Sequence, residues 1–79
     1  MPKFPSDLPL RRVLCALGHL GFKVVREGNH IALARGNDDG SRTTLTIPNH
    51  AIIKAPTLRT VLSRTEISRE SFLAAYERC

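Results

Sequence analysis

Two short polar loops divide the middle of the chain into three strand-like stretches, and this division constrains the fold most. Residues 28–29, Gly-Asn, separate residues 22–27 from residues 30–35. Residues 36–40, Gly-Asn-Asp-Asp-Gly, separate the second stretch from residues 41–47. Because short loops of this kind join antiparallel neighbours, the sequence predicts a three-stranded antiparallel sheet. The first loop predicts a two-residue type II′ turn with its glycine at positive φ.

The tight first turn predicts which side chains share a face of this sheet. It pairs Glu27 with His30, and each earlier residue of the first strand with the next residue of the second, as far as Val24 with Leu33. Since side chains alternate along a strand, one face is apolar and is predicted to join the core. Its members are Phe22, Val24, Ile31, Leu33, Leu45 and Ile47. The open face carries Lys23, Val25, Glu27, His30, Ala32, Ala34, Arg42, Thr44 and Thr46.

A helix is predicted before the sheet. Its apolar stripe is formed by Leu10, Val13, Leu14, Leu17 and Leu20. We expect Asp7 to cap this helix, Pro9 to lie in its first turn and Gly21 to end it.

Two further helices are predicted after the sheet. Pro48 ends the third strand, and an irregular stretch leads to a helix from about residues 56–57. This helix buries Leu58, Val61 and Leu62. Ser68 is the expected N-cap of the last helix, and Ile67 and Phe72 have the spacing of a hydrophobic staple. Its buried stripe is Phe72, Leu73 and Tyr76.

The order of elements predicts an α+β fold of two layers: helix, three antiparallel strands, helix, short helix. At 79 residues the chain is expected to form one domain, residues 1–79, with residues 1–6 as a flexible arm.

The charge indicates a polyanionic partner. Twelve Lys and Arg face seven Asp and Glu, which gives a net charge of +5. Nucleic acid is the leading candidate and an acidic protein the next. The expected phosphate contacts are Lys23, Arg26, Arg35, Arg42, Lys54 and Arg59.

The two cysteines predict neither a metal site nor a disulfide scaffold. Cys15 and Cys79 are too far apart in sequence for a zinc-ligand pattern, so free thiols in a reducing cytoplasm are expected. No apolar stretch resembles a signal peptide or a membrane span, and no metal, cofactor or membrane partner is predicted.

Histidines are the side chains best suited to proton transfer near neutral pH. His19 is expected to be idle on the solvent side of the first helix, and His50 is a loop residue or a phosphate neighbour. His30 is the strongest candidate, because its expected neighbour Glu27 can orient the ring. An ordinary surface histidine is the alternative.

Motifs spread in order along the chain resemble the HicA toxins of bacterial toxin–antitoxin pairs. They are Leu-Gly-Phe at 20–22, Arg26, Gly28, His30, Ile-Pro-Asn-His at 47–50, Thr-Leu-Arg at 57–59 and Ile-Ser-Arg-Glu-Ser-Phe-Leu at 67–73. The resemblance implies a double-stranded-RNA-binding-like fold that carries an mRNA interferase. It also implies an inhibitory HicB-type antitoxin, expected to be acidic.

The family's catalytic histidine falls on His30 and its motif glycine on Gly28. Two positions depart from the family pattern: Asn29 replaces the serine of Gly-Ser-His, and Pro56-Thr57 replaces Gly-Thr before the second helix. The imidazole is kept, whereas the serine hydroxyl is lost.

Together these features predict a toxin that cleaves mRNA without a metal. RNA carries its own nucleophile, the 2′-hydroxyl, so the protein need only move protons and offset charge. His30 is the expected general base or acid, Glu27 its candidate orienter, and Gly28 and Asn29 the motif turn. Two alternatives stay open: a non-catalytic RNA-binding module, and a basic domain that binds an acidic protein.

Overall fold

Two antiparallel sheets and three helices make up residues 5–79, the part of the chain that the computed structural model describes. The predicted arm at residues 1–6 falls mostly on residues 1–4, which lie outside the described residues. The elements are β1 (Asp7–Pro9), α1 (Leu10–His19), β2 (Lys23–Glu27), β3 (His30–Gly36), β4 (Arg42–Pro48), β5 (Ile52–Lys54), α2 (Ala55–Ser63) and α3 (Arg69–Glu77). The predicted α+β class is confirmed.

The larger sheet has the predicted order β2-β3-β4, with both pairs antiparallel. The smaller sheet pairs β1 with β5 and was not predicted. Asp7 therefore belongs to a strand and does not cap α1, whose N-cap is Pro9. The Asp7 carboxylate instead accepts a hydrogen bond from Lys54 Nζ at 2.6 Å. Strands of three residues are too short for alternation to reveal them, so the stretch after Pro48 was wrongly predicted to be irregular.

The core lies between the larger sheet and the helices. The buried cluster consists of Leu8, Val13, Ala16, Leu17, Phe22, Ile31, Leu33, Leu45, Ile47, Ile53, Leu58, Leu62, Phe72, Ala75 and Tyr76. The predicted core face of the sheet is confirmed except at Val24, whose side chain is 43% exposed. Ser68 caps α3 as predicted, since its Oγ accepts a hydrogen bond from the Ser71 N–H at 3.0 Å. Gly21 follows α1 at a φ of 96°, a conformation that favours glycine.

The β2–β3 hairpin departs from the predicted register. Val24 pairs with Leu33 as expected, but a bulge follows, and Glu27 then pairs with Ile31. The predicted pairing of Glu27 with His30 is therefore wrong. A bulge adds one residue to one strand and moves the following side chains to the other face.

The turn of this hairpin also differs from the prediction. Three residues, 28–30, lie between the last pair, and the Gly28 N–H donates to the His30 carbonyl at 3.1 Å. Positive φ values among the described residues occur at Gly21 and Gly40, so the predicted type II′ turn at Gly28 is wrong. The turn is longer because the bulge shifts the pairing of β2 with β3 by one residue.

The two cysteines form a disulfide, Cys15–Cys79, and the prediction of free thiols is wrong. The C-terminal end of α3 packs against α1, which brings the two Cα atoms to 6.2 Å although the residues are 64 apart in sequence. Spacing along the chain cannot show a proximity that helix packing creates.

None of the helices in residues 5–79 is long and apolar enough to cross a membrane.

Candidate functional site

His30 begins β3, as predicted, and its exposed side chain lines a groove between β4 and α2. The groove has a volume of about 640 Å³. It is lined by His30, Thr44, Leu45, Thr46, Pro48, Thr57, Thr60, Val61 and Arg64. We call it the His30 groove. Hydroxyl groups, one imidazole and one guanidinium supply its polar atoms, and none of the described residues that line it is acidic.

A second groove shares a wall with the first, because Thr44 and Arg64 line both. It differs in charge, since Asp38, Asp39 and Glu66 line it together with Arg42. Hydrogen bonds from the side chain and backbone of Ser41 lower the pKa of Asp39, so its carboxylate persists to lower pH. A polyanion is thus accommodated better in the His30 groove than in its acidic neighbour.

The open face of the sheet continues from the His30 groove. Across the strands, Arg26 of β2 lies opposite Ala32 of β3, which lies opposite Thr46 of β4. In the next row the bulge has no effect, and Lys23 lies opposite Ala34. Cations on β2 are therefore separated from the threonines of β4 by two alanines, of which Ala32 is partly exposed. Ala34, predicted on the open face, is buried.

The bulge removes Glu27 from the predicted open face and places Arg26 there instead. Arg26 pairs with Ala32 and so joins the face that carries His30. Glu27 pairs with Ile31 and lies on the opposite side of the strand. The hypothesis that Glu27 orients His30 loses its geometric basis, whereas Arg26 gains one as a phosphate contact.

Asn49 ties the end of β4 to the turn that precedes His30. Its Nδ2 donates to the Gly28 carbonyl at 2.9 Å, and its backbone N–H donates to the Asn29 carbonyl at 3.1 Å. Asn49 belongs to the Ile-Pro-Asn-His motif at 47–50, but no role was predicted for it. These bonds hold the Gly-Asn-His turn against the loop after Pro48, so Asn49 is placed to position His30.

Three predicted phosphate contacts lie elsewhere or are already engaged. Arg35 packs over the Phe22 ring with its Cζ 5.0 Å from the centroid and donates to the Leu20 carbonyl at 3.2 Å. Lys54 is paired with Asp7. Arg59 lies on α2 beside a separate depression that Arg69 also lines.

Arg64, by contrast, was not among the predicted phosphate contacts. Together with Thr57 and Thr60 it lines the His30 groove. The signal was the spacing of these residues, three and then four apart, which places polar groups on one side of a helix.

The other two histidines lie outside this groove. His50 is exposed in the loop between β4 and β5. His19 is exposed at the end of α1 beside Cys15 and Cys79.

The fold and site define a small basic α+β protein with an exposed histidine at a groove free of acidic residues. A family-model comparison matches residues 10–67 to the HicA toxin of bacterial toxin–antitoxin systems. The match covers well over half of the chain, which therefore belongs to the HicA toxin family. Family membership implies a toxin role and an antitoxin partner. Comparisons with curated proteins and with solved structures found no match.

Proposed function

We propose that this toxin is an endoribonuclease that cleaves mRNA, with His30 as its catalytic residue. The observation that carries the proposal is the position of His30, exposed beside Arg64 in a groove without acidic side chains. The row through Arg26, Ala32 and Thr46 extends this surface across the sheet. An RNA strand can contact cations along this path while one of its phosphates lies next to the imidazole.

The cleavage step needs a proton acceptor for the 2′-hydroxyl of the RNA. As His30 takes this proton, the 2′-oxygen bonds to the adjacent phosphorus and the bond from phosphorus to the 5′-oxygen breaks. The leaving 5′-oxygen takes a proton from solvent, which reaches the exposed groove. The products are a 2′,3′-cyclic phosphate and a 5′-hydroxyl end, and no metal ion takes part in the step.

The charge that develops on the phosphoryl oxygens is offset by the guanidinium of Arg64, with Arg26 and Lys23 holding neighbouring phosphates. General acid–base catalysis by one positioned group accelerates a reaction by about 10²–10⁴-fold. The surface is shallow and solvated, so a moderate rate fits this site better than a fast one. Slow cleavage is enough for a protein whose role is to stop translation under stress.

A HicB-type antitoxin is the proposed inhibitor, and the cytoplasm the proposed location. Since the chain carries a net charge of +5, an acidic antitoxin would be attracted to the surface that RNA uses. Masking this surface would block RNA binding without a change in the fold.

Two observations favour a second candidate, a non-catalytic RNA-binding module. Glu27 lies on the side of β2 away from His30, and Asn29 stands where the family has serine. If His30 needs an orienting carboxylate or hydroxyl, the protein would bind RNA and leave it intact.

Expression in a bacterial host separates the two candidates. We expect the wild-type protein to arrest growth and degrade mRNA, and the His30→Ala protein to do neither. His50→Ala is the matched control, because it removes an exposed histidine outside the groove and should arrest growth like the wild type. Growth arrest with intact mRNA, or mRNA loss with His30→Ala, would overturn the catalytic proposal.

A further inference from the structure

A cluster of three potential metal ligands lies where the C-terminal end of α3 meets α1. One ligand atom from each of Cys15, His19 and Cys79 lies within 4.8 Å of the other two, and all three residues are exposed. We call this cluster the cysteine seam. Cys15 and His19 are four residues apart on α1 and so share a helix face. Cys79 lies outside residues 10–67, the segment that matches the family, so the complete seam is not contained in that segment.

Packing of α3 against α1 contributes to the geometry of the seam in addition to the disulfide. Tyr76 and Ala75 of α3 are buried in the core against α1. Arg12 of α1 places its Cζ 4.0 Å from the Tyr76 ring centroid and donates to the Tyr76 carbonyl at 3.3 Å. The Cys79 N–H donates to that same carbonyl at 3.1 Å. These contacts, like the disulfide, hold the C-terminal end of α3 against α1.

We propose that the reduced cysteine seam binds a zinc ion through Cys15, Cys79 and His19. Two thiolates and one imidazole form a ligand set that zinc proteins use, with a fourth position left for water or another ligand. In the disulfide form the sulfurs cannot act as thiolate ligands, so the site exists only in the dithiol form. Redox state would therefore determine whether the ends of α1 and α3 are joined by a covalent bond or by a metal ion.

An external dithiol can reduce the disulfide and so convert the seam to its zinc-binding form. The reductant transfers two electrons and two protons to the Cys15–Cys79 bond, which yields two thiols and leaves the reductant as a disulfide. Zinc then displaces the two thiol protons and takes the neutral imidazole of His19 as its third ligand. A reducing cytoplasm, the compartment proposed above, favours the dithiol form.

Cobalt substitution tests the site directly. The full chain is reduced with a phosphine and titrated with Co²⁺, which shows sulfur-to-cobalt charge-transfer and tetrahedral ligand-field absorption when thiolates bind it. We expect one equivalent of Co²⁺ to produce these bands and Zn²⁺ to remove them. The oxidised protein should give neither band.

Single substitutions assign the ligands. We expect His19→Ala and Cys79→Ser each to weaken Co²⁺ binding by more than about 10-fold. Loss of a residue that only hydrogen-bonds to a metal ligand already weakens binding by about 10- to 100-fold, so loss of a ligand itself should exceed the lower value. His50→Ala should bind like the wild type, because it removes a histidine outside the seam. Circular dichroism of each variant confirms that it is folded before titration. The proposal is overturned if the reduced wild type lacks the tetrahedral spectrum, or if either ligand variant binds as tightly as the wild type.

Discussion

The His30 groove and the cysteine seam each contain an exposed histidine, but the side chains next to the two histidines differ in their chemistry. His30 shares its groove with threonine hydroxyls and the Arg64 guanidinium, groups that contact phosphates. His19 lies beside two sulfur atoms. Exposure is alike in the two places, so under the two proposals the adjacent side chains, and not burial, determine the different roles of these histidines.

The two regions also differ in what they contribute to stability. The groove is assembled from exposed edges of β4 and α2, and His30 itself makes no side-chain hydrogen bond to another described residue. The seam connects two helices whose packed faces form part of the core. Function and stability are therefore expected to separate when each region is altered.

The largest expected effect is on stability at the seam. Replacing both Cys15 and Cys79 by serine removes a cross-link between residues 64 apart, which should lower the free energy of unfolding by about 4 kcal/mol. Urea unfolding of the oxidised wild type and the double variant, both with a chelator present, measures this loss. His30→Ala should change the same quantity by no more than about 0.5 kcal/mol. Equal losses for the two proteins would show that the regions do not differ in this way.

The next largest expected effect is on the RNA cleavage rate and comes from a change beside the His30 groove. Asn49→Ala removes the bond to the Gly28 carbonyl that holds the turn before His30, so the RNA cleavage rate should fall about 10- to 100-fold. The free energy of unfolding should fall by only about 1 kcal/mol, since the site is exposed. Single-turnover cleavage gives the rate.

Asn37→Ala is the matched control for this prediction. The Asn37 amide donates to Ser41 and Thr43 in the other hairpin, far from the Gly-Asn-His turn in sequence. We expect this variant to cleave RNA at the wild-type rate. If both asparagine variants lose activity equally, Asn49 has no specific role in positioning His30.

The bonds of Asn49 illustrate which features the sequence could and could not predict. The antiparallel order of β2, β3 and β4, the core face other than Val24, and the Ser68 cap follow from alternation and from local side-chain chemistry, and these were predicted. The bulge near Val25 depends on contacts between β2 and β3. A pattern read along one strand does not contain those contacts, so the position of Glu27 was predicted wrongly.

The disulfide and the small β1–β5 sheet were missed for a related reason. Both join the first part of the chain to its second half, and their partners are chosen by packing of the whole core. His30 was identified because a hairpin is local, whereas Arg64 enters the groove only when α2 packs beside β4. The role of each candidate site residue, and the single domain spanning residues 1–79, stay predictions.

The smallest expected effect concerns the electrostatics of the groove. Binding of RNA should weaken with salt, and each lost phosphate contact should reduce the slope of log affinity against log salt by about 0.7. Arg64→Ala should produce this reduction, because its guanidinium lines the groove. Arg11→Ala, which removes an exposed cation on α1, should leave the slope unchanged. The measurement uses the His30→Ala background so that the RNA stays intact, and an equal change from both arginines would indicate a diffuse positive field.

The most direct test of the central claim is the single-turnover rate at which purified protein cleaves one RNA, compared between wild type and His30→Ala. Both proteins are assayed with a chelator present, and equal unfolding curves confirm that the variant is folded. If His30 transfers the proton of the 2′-hydroxyl, the rate should fall by at least about 100-fold in the variant. A His30→Ala protein that cleaves the RNA as fast as the wild type would contradict the assignment of His30 as the catalytic residue.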